Sequence, residues 1–344
     1  SFPEMTVNFT VGETHEKIVI WGLRVNCAIS FCVDLITVYL LWTKTPRNTG
    51  NYKYLLLIMQ ACSTLIDVHM GLLFAPVPLF PTIGAYCKGV LCFYDAHICV
   101  VTFFFLVLGC LIAQNLCVFY RHQAVLPSNH RLKITDRRYL IFVSVIFAIL
   151  SEVISVLAFI SKHESGHQGE SRRSEYIEKN HPEMRWITRK ESWIVYDPNS
   201  SIRFVIYYAL ILIPIQVPLY FFLIREIYQI LNNRLTGMSS RTLAFHRGMV
   251  NSLLVQSLCW SFVILPVIVW IVSVFTESVL HEATSVAFLV TELFPLVNAL
   301  TMIFNSPKFR QTLLFWLRIP QKKTYQPTLS LSLSVMPRER SVAN

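Results

Sequence analysis

The sequence predicts an all-α membrane protein, a bundle of seven transmembrane helices. Three observations carry that expectation. Seven apolar runs follow one another, each long enough to cross the ~30 Å hydrocarbon core with about 20 helical residues. The composition is 54% hydrophobic and only 15% charged, with a mean hydropathy of +0.50. The basic residues cluster in alternate connections rather than evenly. A soluble domain would carry nearer a quarter charged residues, so the 344-residue chain reads as one membrane domain.

The predicted spans are Ile18–Trp42, Tyr52–Phe74, Val90–Tyr120, Tyr139–Ile160, Ile202–Ile224, Met249–Phe275 and Ala283–Phe304. Within lipid every backbone amide must be satisfied internally, so each run is expected to be a helix. The strict alternation of a transmembrane barrel is absent. Residues 1–17 form a polar N-terminal segment with no cleavable leader in view, so the first helix is expected to act as its own insertion signal. The longest gap, residues 162–201, is polar and expected to bury no core of its own.

Topology follows from charge. One set of connections holds Lys44, Arg47 and Lys53, then Arg121, Arg131, Lys133, Arg137 and Arg138, then Arg225, Arg234, Arg241 and Arg247. Lys308, Arg310, Arg318, Lys322 and Lys323 follow the last span. The short segments on the other side offer only Lys17 and Lys88. The positive-inside rule then places the N-terminus outside and the C-terminus in the cytosol, with 162–201 a long outer loop. The net charge of +10 is thus a topology signal and not a nucleic-acid footprint. Two sequons, Asn8-Phe9-Thr10 and Asn199-Ser200-Ser201, both fall outside in this scheme, Asn8 being the better acceptor.

Cys27, Cys32, Cys62, Cys99, Cys110, Cys117 and Cys259 lie within spans and read as small hydrophobes, whereas Cys87 and Cys92 approach the outer face. The long loop has no cysteine to tie it to the third helix. His163-Glu164-Ser165-Gly166-His167 matches the zinc-protease pattern H-E-x-x-H, but Gly166 and Gly169 weaken the helix that such a site needs. It reads as a chance match, so no metal, no cofactor and no enzymatic activity are expected. Nucleotide-binding glycine motifs are absent, which excludes a pump driven by nucleotide hydrolysis. A transporter of small solutes is the alternative, although the halves show no internal similarity.

Ionisable residues at membrane depth are costly and point to function. Asp95 and His97 fall near the outer end of the third span, and Glu292 roughly 14 Å into the seventh at 1.5 Å per residue. With Tyr94 and Trp260 they are candidates to line one outward-facing ligand cavity. Asp34 and Asp67 lie deeper and read as structural cross-links, with Asn298 as a partner. For Asp95, His97 and Glu292 the same cross-linking role stays open. At the inner end of the third span stands Phe119-Tyr120-Arg121-His122-Gln123. Tyr120, Arg121 and His122, with Arg225 and Arg247 at facing helix ends, are candidates to meet a cytosolic partner. Arg121 as a mere topology anchor is the competing reading. Pro214, Pro218, Pro266 and Pro295 predict kinks in the last three spans.

After the seventh span, residues 305–318 turn amphipathic, with Phe309, Leu313, Trp316 and Leu317 on one face, and should lie along the inner leaflet. Residues 319–344 are rich in Ser, Pro and Thr and read as a disordered tail.

Leu65-Ile66-Asp67-Val68-His69 running on to Phe74-Ala75-Pro76-Val77-Pro78-Leu79-Phe80-Pro81 resembles the second helix and first outer loop of nematode serpentine chemoreceptors. The Phe119–Gln123 stretch followed by Pro127 resembles the third-helix end of class I, the sister of class h. Gln256 and Pro307-Lys308-Phe309-Arg310 fit the same pattern, so the resemblance runs from the first helix to Arg310. It implies a G-protein-coupled receptor for small environmental or pheromone-like chemicals, recruiting a heterotrimeric G protein and sited in the plasma membrane of sensory cilia. Rhodopsin-like features are missing: no acid precedes Arg121, and the seventh span has no Asn-Pro-x-x-Tyr. Pro266 also follows Cys259-Trp260 too late for a rhodopsin-like toggle.

Overall fold

The computed structural model describes residues 12–45, 51–79, 82–127, 130–134, 137–160, 169–196, 202–233, 240–260, 263–264, 268 and 281–318. Asn8, Asn199, Pro266, the His163–His167 motif and the 319–344 tail lie outside the described residues.

Nine α-helices are described. They are α1 (Glu13–Lys44), α2 (Tyr52–Val68), α3 (Ala96–Val125), α4 (Arg137–Ile160), α5 (Gly169–Asn180), α6 (Ile202–Asn233), α7 (Ser240–Cys259), α8 (His281–Asn305) and α9 (Pro307–Trp316). Seven of them overlap the predicted spans in order, α1 to α4, then α6, α7 and α8; α7 begins nine residues before Met249, and most of the predicted span after Trp260 lies outside the described residues. Side by side they form a closed ring, α1–α2–α3–α4–α6–α7–α8 and back to α1, with α3 also reaching α6 and α7. Among the described residues, Glu13–Lys44, Tyr52–Phe74, Ala96–Val125 and Ser285–Asn305 are each long and apolar enough to cross a membrane. Their outward faces carry bare apolar side chains such as Trp21, Ile29, Leu35 and Phe105, as a lipid-facing surface requires.

α2 ends in a π-helical turn, His69–Phe74, closed by Ala75 at φ 42°. The wider turn is held from within, because His69 Nε2 donates to the Cys99 carbonyl at 2.8 Å. Gly71 lies in this turn where α1 crosses, and a Cβ there would sit 2.3 Å from Cys27 Cβ. Only glycine admits so close a crossing.

Two expectations need correction at this end of the bundle. The third span begins at Ala96, not Val90: Val90–Phe93 is a separate 3₁₀ turn, and Asp95 ends it by accepting from the His97 amide at 2.8 Å. That bond makes Asp95 the N-cap, so it stands at the mouth of α3 and not below it. The 162–201 segment is also more structured than its polarity suggests. It supplies α5, a 3₁₀ helix (Pro182–Arg189) and strand β3 (Trp193–Tyr196). β3 joins β1 (Pro76–Leu79) and β2 (Ile83–Cys87) in an antiparallel sheet of order β1-β2-β3, pairing Pro76 with Cys87 and Ile83 with Tyr196. Gly84 lies in β2 against the Ile194 carbonyl, where a Cβ would approach to 2.5 Å. The segment buries no core alone but shares one, in which its Ile177, Met184, Ile187, Trp193 and Val195 pack on Val19, Leu23, Val77, Leu79 and Tyr86. Cys87 and Cys92 are disulfide-bonded to each other. At the opposite end, α9 turns back on the bundle, burying Phe309 and setting Trp316 against Tyr39 at 5.5 Å.

Candidate functional site

Midway along the ring the helices leave a small cavity. It is lined by Ile66 of α2, Met70 of the π turn, Phe103 and Val107 of α3, Trp260 and Val263 beyond α7, and Thr291, Glu292 and Phe294 of α8. Trp260 and Phe294 pack ring to ring at 4.7 Å in this wall, and Glu292 contributes only carbon atoms to it, its oxygens being buried behind. The exposed lining is wholly apolar, and in this packing of the helices the space is about that of one water.

Glu292 is fully buried. Its backbone carbonyl accepts from Asn26 Nδ2 at 2.7 Å, which ties α1 to the part of α8 that Pro295 loosens. Its carboxyl faces Asp67, which also neighbours Ser30 of α1. Asp34 instead pairs with Gln60, whose Nε2 donates at 2.8 Å. Asn298 is buried with no partner for Nδ2 among the described residues. The expected link from Asn298 to Asp34 or Asp67 is therefore replaced by two separate contacts, Asp34–Gln60 and Asp67–Glu292. Gln60 was invisible to a search for charges because it is neutral. A polar residue within an apolar run was the available signal.

The outer-cavity set divides. Glu292 and Trp260 come together in the cavity, whereas Asp95, His97 and Tyr94 are not among the residues lining it. Asp95 caps α3. His97 is buried and shares a 2.7 Å hydrogen bond with the Tyr196 hydroxyl, joining α3 to the sheet above the bundle. Tyr94 is 85% exposed and points away. A helix position gives depth, but its azimuth changes by about 100° per residue, and depth alone cannot tell which side chains converge.

The opposite end carries the second constellation. Arg121 is only 4% exposed, its guanidinium lying 3.7 Å over the Tyr52 ring, and Tyr52 stacks on Tyr120 at 6.1 Å. Its Nε and Nη2 have no hydrogen-bond partner among the described residues. His122 Nε2 meets Glu226 Oε2 at 2.7 Å, and His130 lies 3.7 Å from the other oxygen. Arg225 is exposed beside them, and Arg247 lies in α7. The expected basic rim thus has a carboxylate set into it, held by two histidines. Gln123 fixes the connection after α3 by bonding the Leu132 carbonyl and the Ile134 amide. Between the two ends, Gln114 Nε2 donates to the Tyr220 hydroxyl at 2.9 Å, and Tyr220 donates to the Leu253 carbonyl at 3.2 Å. That chain joins α3, α6 and α7.

Among the described residues, no group of three or more His, Cys, Asp or Glu side chains is placed to hold a metal ion. Residues 9–313 match the model of a family described as serpentine type 7TM GPCR chemoreceptor Sri. None of the curated proteins compared with the chain matches it.

Proposed function

The chain belongs to the serpentine seven-transmembrane chemoreceptor family Sri, and from that membership we propose that it binds a small molecule from outside and activates a heterotrimeric G protein inside. Chemoreceptor membership and a multi-pass membrane location are the premise; the sites, the coupling and the orientation are the reading. In that reading the sheet-bearing end faces outward and the α9 end faces the cytosol, in the plasma membrane of a sensory cilium. The observation that carries it is the family match over residues 9–313, and the small apolar cavity lined by α2, α3, α8 and the residues after α7 is the place we assign to the ligand. The same four helices run to the Arg121 end, so a ligand that favours one packing of them biases both sites at once.

Arg121, Tyr120 and His122 are assigned to the G-protein contact, with Arg225 and Arg247 at its rim. A basic floor suits the C-terminal end of a partner helix, which carries partial negative charge and a free carboxylate. The test is a chemical panel on transfected cells, read by cAMP, cGMP or calcium, with surface receptor counted in parallel. Arg121→Ala is expected to lower ligand-evoked nucleotide exchange per surface receptor while leaving ligand affinity within the reciprocal coupling, about 1–3 kcal/mol. Normal exchange in Arg121→Ala removes that residue from the contact. Saturable uptake of a solute with no second-messenger change rejects the receptor reading in favour of a transporter.

A further inference from the structure

We propose that Cys87, Cys92 and Cys99 form a thiol–disulfide switch, in which the Cys99 thiol trades places with Cys87 and moves the covalent tie from the sheet to α3. Neither the ligand site nor G-protein coupling enters into it. Cys87 ends β2, Cys92 lies in the 3₁₀ turn Val90–Phe93, and Cys99 stands in the first turn of α3. The disulfide joins Cys87 to Cys92, yet Cys92 Sγ also lies 3.8 Å from Cys99 Sγ. That is van der Waals contact between two sulfurs, with no atom between them. Closing it to the ~2.05 Å of a disulfide takes a shift of about 2 Å. Cys99 is a free thiol, and all three residues are buried together in one apolar cluster.

The exchange balances without an outside reagent. Cys99, as thiolate, attacks Cys92 Sγ; the Cys92–Cys99 bond forms, the Cys87–Cys92 bond breaks, and Cys87 leaves as thiolate. The proton given up by Cys99 ends on Cys87, so one thiol and one disulfide stand on each side. An acceptor is in place for the released thiol, because Ser192 Oγ is 3.6 Å from Cys87 Sγ and directs its own hydrogen to the Cys92 carbonyl at 2.6 Å. Uncatalysed rearrangement takes minutes to hours, so each isomer persists. The two isomers fasten different parts. With Cys87–Cys92 the end of β2 is bound to the 3₁₀ turn, and α3 is not part of the covalent tie. With Cys92–Cys99 the turn is stapled across the Asp95 cap to α3, at the residue whose carbonyl accepts from His69 of the π turn. The end of β2 then has no covalent cross-link and is held by hydrogen bonds such as that from the Cys87 amide to the Ser192 carbonyl at 3.1 Å. One isomer stiffens the sheet, the other the entry to the helix.

The experiment uses full-length receptor in lipid nanodiscs, held in reduced and oxidised glutathione at about pH 8, where free thiols begin to ionise. Samples are quenched in acid and capped with N-ethylmaleimide. Cleavage at Lys88 separates Cys87 from Cys92, and cleavage at Phe93 or Tyr94 separates Cys92 from Cys99, so mass spectrometry tells the linked pairs apart. Wild type is expected to give both Cys87–Cys92 and Cys92–Cys99. Cys99→Ser should lose the second pair and keep the first. Cys87→Ser, oxidised by the glutathione disulfide, should lose capping at both Cys92 and Cys99. Amide exchange is then compared between the two locked variants. Protection of Ile83–Cys87 should be lower, and that of the first turns of α3 higher, in Cys87→Ser than in Cys99→Ser. If wild type yields Cys87–Cys92 alone, or Cys87→Ser leaves Cys92 and Cys99 both capped, the Cys99 contact is packing only and the switch is overturned. Equal protection in the two variants overturns it as well. Should Cys87→Ser fail to fold, the wild-type map decides.

Discussion

Asp95 shows how one carboxylate can be misassigned by depth alone. Its position suggested a ligand contact, but its oxygen is already engaged with the His97 amide at the first turn of α3. An N-cap aspartate replaced by alanine costs about 0.5–2 kcal/mol, whereas asparagine caps nearly as well. Asp95→Ala should therefore lower surface yield and melting temperature, and Asp95→Asn should restore both with an unchanged dose–response curve. A potency change in Asp95→Asn at normal surface level would return Asp95 to the ligand site. Hydropathy made the burial of Asp34, Asp67 and Glu292 legible, since each interrupts an apolar run. It could not reveal that Asp67 turns to Glu292 and Asp34 to Gln60, because pairing depends on the angle between helices that never meet in sequence.

Strand β1 contains Pro76 and Pro78, which argue against a strand anywhere but at a sheet edge, and β1 is an edge. Its partner's partner, β3, lies more than a hundred residues downstream, so no local pattern announced the sheet. The cover it forms is latched to the first turn of α1. Glu16 accepts from Lys190 at 2.8 Å and from the Tyr86 hydroxyl at 2.9 Å, with Lys88 at 3.9 Å. Burial pushes the Glu16 carboxyl up, but these hydrogen bonds and the two lysine charges outweigh it and hold it below its ordinary 4.5. A depressed carboxylate contributes its stability above the ordinary value and loses it as pH falls through the lowered one. The protection of amides in β2, β3 and α5, their exchange corrected for its intrinsic slowing in acid, should therefore be steady at neutral pH and fall as the solution is acidified below about pH 4.5. Glu16→Gln should show the faster exchange already at pH 7, by roughly fivefold for about 1 kcal/mol. Identical exchange in wild type and Glu16→Gln would dismiss the latch.

For the whole molecule the seven spans were legible because lipid demands long apolar helices, and their order in the ring follows the tendency of consecutive elements to pack side by side. Their ends were not, since a cap such as Asp95 or an extension such as Glu13–Lys44 is set by single polar residues and not by hydropathy. Orientation rests on charge, and it is open to a direct check. Asn8 should carry a glycan, removed by endoglycosidase with a gel shift, and a tag placed after Arg318 should stain only in permeabilised cells. A C-terminal tag stained on intact cells would invert the molecule and take both proposed sites with it.

The disulfide between Cys87 and Cys92 closes within the stretch that joins α2 to α3, and residues 162–201 contain no cysteine. Strand β3 is therefore held in the cover without a covalent bond, by its pairing with β2, by the packing of Trp193 and Val195 and by the Tyr196–His97 hydrogen bond. Such a fastening peels and reseals thermally, without a reductant and without breaking a covalent bond. In the receptor reading, the dwell time of an odorant would then follow the fraying rate of one four-residue strand. Responses would shorten steeply on warming.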